Sequence, residues 1–192
     1  MPPEPTASEP TYTAFAGMQR LVTASLAETL RQTRAHLDRG AAGQVLIFAD
    51  ATGQQRDYDF SGTLEQVLDR AVPAARTGPG RPKLGVVSRE ISLLPRHWDW
   101  LETQRGGASA ALRRLIDEAR KADPEGDRLR LATEAAGRFM TVMAGDLPGY
   151  EEASRALYAH DSERLKNLIQ GWPDAVQTHL LYLLDPPFST QV

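Results

Sequence analysis

Gly80–Lys121 reads GRPKLGVVSREISLLPRHWDWLETQRGGASAALRRLIDEARK. Its order is a strand candidate behind a Pro/Gly tether, a short helix opening at Pro95, a glycine turn at Gly106-Gly107, and a second helix. Proline is tolerated in the first turn of a helix, where its missing N–H has no partner to lose. In the second helix Ala108, Leu112, Leu115, Ile116 and Ala119 recur at helical spacing as one apolar stripe. The same stretch concentrates positive charge: Arg76–Lys121 holds ten Lys/Arg against five Asp/Glu, a net of +5. The flanks are acidic, −3 over residues 1–75 (six against nine) and −5 over residues 122–192 (six against eleven). Like charges gathered in one place repel unless an anionic partner answers them, so this island predicts such a partner, with nucleic acid foremost.

Outward from the island, composition excludes several chemistries. A hydrophobic share of 41% over 192 residues suffices for a buried core. The absence of cysteine removes disulfides, thiolate catalysis, zinc fingers and iron–sulfur clusters together. No apolar run approaches the ~18 residues of a membrane span, so no membrane partner is expected. MPPEPTASEP (1–10) has neither a basic residue nor an apolar centre. It reads as a disordered lead-in rather than a secretory signal, and the default location is the cytoplasm. His36, His97, His160 and His179 lack metal-ligand spacing, and Gly78-Pro-Gly80 lacks the Gly-Lys-Ser/Thr ending of a phosphate loop. Asp57 and Asp59 share a strand face and read as solvated hairpin residues rather than a catalytic pair. The expectation is a non-enzymatic protein with no metal and no cofactor.

The fold class expected is α+β, in parts. Residues 11–72 form a small α+β unit. Tyr12–Phe15 and Arg20–Val22 are short strands around Gly17, and a helix follows Ser25, whose spacing to Glu28 suits a capping box. Val45–Ala49 is a continuous apolar strand, Asp50–Gly53 a turn, Arg56–Phe60 an alternating strand, and Thr63–Gln66 a second capping box before a helix to about Val72. Residues 73–85 are a basic linker; the run Val72–Gly85 has three prolines and three glycines. Residues 86–185 are one strand and then helices, at about 95–104, 109–120, 127–144, 150–159 and 162–170, with a last one carrying Val176, Leu180, Leu183 and Leu184. Trp98, Leu101, Leu112, Leu115 and Ile116 are expected to be buried together, and Trp100 to point elsewhere.

YTAFAG, VLIFADATG, GRPKLGVVSREISLLPRHWDWL, GGASAALRRLIDEAR and RFMTVMAGDLPGYEEA together resemble a bacterial family catalogued as domain of unknown function 2239. The resemblance runs from Thr11 to about Leu184 and implies a bacterial protein without implying an activity. Within the island, strand, Leu-Pro, helix, Gly-x-Ser turn and amphipathic helix resemble a ribbon-helix-helix DNA-binding unit. That resemblance makes Val86–Leu94 the ribbon, Pro95–Gln104 and Ser109–Arg120 the helices, and a homodimer obligatory. It sets the amides around Ser109 against a phosphate. The ribbon departs from the pattern: neither of its faces carries the Arg, Lys, Asn or Gln suited to base reading, and Glu90 would repel phosphate. A helix-turn-helix reading of Pro95–Arg120 fits almost as well. Gly80-Arg-Pro-Lys83 is similar to the core of a minor-groove AT-hook, although Pro79 replaces the preceding arginine.

These readings give two functional expectations. The first is a non-enzymatic DNA-binding protein or transcriptional regulator, contacting phosphate through Arg81, Lys83, Arg89, Arg96, Arg113 and Arg114, with Ser109 as a helix-start anchor. The second is a protein-interaction or assembly module that docks the basic helix pair on an acidic surface.

Overall fold

A computed structural model describes residues 10–40, 43–72 and 89–185. Among these residues four strands, β1 (Thr11–Ala16), β2 (Gln19–Ser25), β3 (Val45–Ala49) and β4 (Gln54–Arg56), form one antiparallel sheet in the order β2-β1-β3-β4. Among the described residues eight helices accompany it: α1 (Leu26–Asp38), α2 (Leu64–Ala71), α3 (Pro95–Glu102), α4 (Gly107–Ala122), α5 (Pro124–Ala144), α6 (Tyr150–Tyr158), α7 (Ser162–Ile169) and α8 (Asp174–Leu184). The fold is α+β, as the sequence predicts.

The chain separates into two compact units, Met1–Ala74 with Leu129–Val192, and Ala75–Arg128. The expected division into 11–72 and 86–185 is drawn differently from this one. The sheet and the helices after Leu129 share a unit because the sheet has two apolar faces. Thr13 pairs with Phe48 and Phe15 with Leu46, so these side chains and Asp50 point to one face. There Phe15 and Phe48 join Phe139, Met140, Leu157, Leu165, Val176 and Leu180 in the larger core. Phe139 lies between the two strand aromatics, with centroid distances of 5.5 Å to Phe15 and 5.0 Å to Phe48. On the opposite face Ala14 and Ile47 pack with Leu30 of α1 in a second core edged by Tyr58, Phe60 and Leu68. A strand covered on both sides needs apolar residues at successive positions, which is why Val45–Ala49 does not alternate.

Local signals are kept in some places and displaced in others. Thr63 and Gln66 exchange both capping-box hydrogen bonds, 3.3 and 3.0 Å. Ser25 makes no side-chain cap at α1; Thr29 takes over the local anchoring by donating to the Tyr12 carbonyl at 3.1 Å. Strand β4 stops at Arg56, short of the expected Phe60. Tyr58 and Phe60 are instead drawn onto the α1–α2 core, and Asp59 leaves the ladder to pair with Arg70 at 3.4 Å and accept the Ser61 N–H.

In the other unit, α3 and α4 pack on each other. Only Leu101 and Ala111 are buried among its described residues. Leu112 and Trp98 are half-buried, while Leu115 is 39% and Ile116 56% exposed. The shared burial expected of Leu115 and Ile116 therefore does not occur. Successive residues on a helix are about 100° apart, and α3 covers the side of α4 that carries Ala111, leaving Ile116 on the far edge of the stripe.

Candidate functional site

Gly106, with φ 87°, caps α4 without a side-chain bond, and Gly107 at φ 77° donates its N–H to the Gln104 carbonyl at 2.9 Å. These left-handed glycines fold the short α3 back along α4, a turn that L side chains rarely adopt. Arg89 and the helix pair are the parts of the predicted site within the described residues; Arg81 and Lys83 lie outside them, as do Val86–Ser88 of the expected ribbon. Residues 89–94 carry no β pairing within the chain, and a ribbon of the expected kind would pair only with a second copy. Arg89 is exposed on this irregular segment and Arg96 is exposed in the first turn of α3.

Ser109, Arg113 and Arg114 are all exposed on α4 but do not share one face. Arg113 lies above Ser109, donating from Nε to the Ser109 carbonyl at 3.0 Å. Arg114, turned by about 100°, is engaged elsewhere: it donates to Gln104 Oε1 at 3.4 Å and lies 3.8 Å from Glu118. Residues 89–122 hold seven Lys/Arg against five Asp/Glu, so most of the positive excess of the island belongs to Arg76, Arg81 and Lys83. The described surface is more apolar than a phosphate-binding one. Ile91, Leu94, Trp100 (49% exposed), Leu115 and Ile116 all reach solvent beside these charges.

A separate polar constellation lies inside the sheet-containing unit. Asp50 follows β3 in its turn and His179 sits in mid-α8, far apart in sequence and both buried. His179 Nε2 is 3.5 Å from Asp50 Oδ1, while Asp50 Oδ2 accepts from Thr13 Oγ1 at 3.1 Å and Thr13 meets Thr23 Oγ1 at 2.8 Å. Both ring nitrogens of His179 and Asp50 Oδ1 lack a hydrogen-bond partner of good geometry. The imidazole stacks on Tyr182 (5.5 Å, 23°) and meets the edges of Phe15 and Phe139. Two effects compete here. The neighbouring carboxylate favours an imidazolium, and burial disfavours it. Burial prevails, because 3.5 Å is long for a charge-assisted bond and the second nitrogen has no acceptor. It lowers the His179 pKa to about 3. Burial also raises that of Asp50, opposed in part by the hydroxyls of Thr11 and Thr13.

α8 also lines a cleft of about 550 Å³ with Thr178, Leu181 and Tyr182, opposite Leu157, His160 and Leu165. His160, at φ 56°, is the one non-glycine residue with positive φ among those described. Sequence reasoning passed over the Asp50–His179 pair. Its signal was a polar residue on an apolar face: His179 falls between Val176 and Leu180–Leu183 at helical spacing.

A sequence profile described as an uncharacterized protein conserved in bacteria (DUF2239) matches residues 11–184. The chain belongs to this family. No curated protein and no solved structure matches it. Among the described residues of this family member no helix is long and apolar enough to cross a membrane, and no group of three or more His, Cys, Asp or Glu side chains is placed to hold a metal ion.

Proposed function

We propose that the chain is a protein-interaction module in which α3–α4 docks on an apolar partner surface rimmed by carboxylates. One observation carries this reading: the unit buries only Leu101 and Ala111 among its described residues while Trp100, Leu115 and Ile116 face solvent. A core this small stabilises little by itself, and covering such side chains is worth roughly 25 cal/mol per Å² of apolar surface. The rim chemistry follows from α4. Arg113 and Arg120 are two turns apart along one margin of the Leu112–Ile116–Ala119 line, both exposed. Charges in that position select a partner more than they tighten it.

The test uses the full chain and a synthetic amphipathic helix with leucines at i, i+4 and i+7 and glutamates along its margins. The peptide should protect Trp100, Leu115 and Ile116 from carbene footprinting, and a lysine-for-glutamate version should not. Arg113→Glu with Arg120→Glu should weaken its binding at least tenfold. If these side chains are already protected in a chain that sediments as a monomer, its own residues cover the face and the reading fails.

The sequence charge favours a second reading, binding to double-stranded DNA by a homodimer, with Arg81 and Lys83 supplying what the helix pair lacks. Each phosphate contact contributes about −0.9 to the slope of log affinity against log salt, so a slope of roughly −3 to −5 is expected. Arg81→Ala with Lys83→Ala should flatten it by about 1–2. No association with duplex at low salt refutes this reading and leaves the first untouched.

A further inference from the structure

We propose that Asp50 and His179 form an acid-sensitive latch holding α8 to the sheet, and that protonation of His179 releases α8 and opens one wall of the cleft beside it. The argument begins with position. His179 is fully buried, enclosed by Phe15 of β1, Phe139 of α5 and Tyr182 of its own helix. A neutral imidazole fits there, with Nε2 3.5 Å from Asp50 Oδ1. An imidazolium has two N–H donors, and Nδ1 has no acceptor in this shell. Placing the second proton therefore requires water to reach the ring, which requires α8 to move away from the sheet.

The surroundings do little to offset this. The charged groups bearing on the ring are Asp50, from the β3–β4 turn, and Arg20 of β2, whose positive charge also disfavours an imidazolium. The remaining titratable neighbour is Tyr182, whose hydroxyl is 3.4 Å from Thr11 Oγ1 and so ties the same helix to β1. α8 presents Thr178, Leu181, Leu184 and Tyr182 to the cleft, and Tyr182 is the ring stacked on His179. One helix thus carries both the latch and part of the cleft wall, so displacing it changes both.

Asp50 acts in the opposite sense. Its raised pKa lets the closed form take up a proton at the carboxylate, which offsets the loosening once acid is strong enough. The effect is therefore sought just below the ordinary histidine value. Free imidazole titrates near 6.5, so the opening constant should rise about tenfold between pH 7.5 and 5.5.

Amide hydrogen exchange of the full chain, corrected for intrinsic rates, reads this directly. Protection at Leu180 and Leu183 in α8 should fall about tenfold over that range, while protection at Leu30 in α1 holds. In His179→Phe the loss of protection on acidification should vanish, leaving only the opposite, stabilising trend of Asp50. In Asp50→Asn, which keeps the histidine, the loss should persist and extend to lower pH. Should His179→Phe fail to fold, the ¹⁵N shifts of His179 in the unmodified chain decide instead: the ring must be neutral at pH 6. Protection that rises or stays level on acidification, equal loss in α1 and α8, or a charged ring at pH 6 overturns the latch.

Discussion

Gly53→Ala probes the contact that joins the sheet to α5. Gly53 closes the β3–β4 turn at φ 63°, donating its N–H to the Ala49 carbonyl at 2.8 Å. A Cβ added there would overlap the Ala135 carbonyl oxygen and lie 2.6 Å from its carbon and 2.8 Å from its Cα, all backbone of α5. Arg138 of the same helix donates to the Thr52 carbonyl at 2.9 Å, so the turn and helix are held on both sides of the close approach. Two costs add. A side chain in the left-handed region costs about 1–2 kcal/mol, and forcing a packed backbone apart costs about 1–3 kcal/mol more. The expected loss is about 2–5 kcal/mol, read from urea midpoints at an unchanged m-value. Gly17→Ala separates the two costs, because Gly17 has φ 56° but nothing within 4 Å of an added Cβ. It should lose only the first, about 1–2 kcal/mol. Equal losses in the two variants would show that α5 does not lie on this turn, and the shared core would have to be redrawn.

Phe139→Ala should cost about 3–5 kcal/mol in the same assay, because Phe139 bridges both strand aromatics. Leu101→Ala should cost about 2–5 kcal/mol, whereas Ile116→Ala, at an exposed position, should stay within about 1 kcal/mol; the reverse order would misplace the α3–α4 contact. Thr63→Ala should cost about 1 kcal/mol through its lost cap, and Ser25→Ala, which removes no cap bond, close to nothing. The folded His179 value of about 3 lies below its unfolded one. The unfolded chain therefore binds the extra proton, and global stability should fall as pH drops below about 6.5. Asp50, raised in the folded state, contributes stability that is present in acid and lost as pH rises through its folded value, so it tempers that decline. Urea midpoints at pH 7.5, 6 and 5 check the sign, and His179→Phe should flatten the trend.

Much of this protein was legible because helices and turns are governed by near neighbours. Ala132, Ala135, Ala136, Phe139, Met140 and Met143 at helical spacing placed α5, Thr63 and Gln66 placed the start of α2, and Gly53 marked a turn, each from residues within a few positions of one another. Leu115 and Ile116 show where that reasoning stops. Periodicity identifies an apolar face, but burial depends on whether another element covers it, and α3 covers only part of α4. Ser25 shows the same at a single hydroxyl: the spacing permitted a cap that the native backbone does not use. Val45–Ala49 was readable as a strand, yet only the packing revealed why it is apolar throughout, with α1 and α2 on one face and the helices after Leu129 on the other. The Asp50–His179 pair lay furthest out of reach. Each residue looks ordinary among its own neighbours, and their meeting depends on the angle at which α8 crosses the sheet. That angle is set by side chains interlocking across the whole core, a many-body condition that local spacing along the chain does not encode.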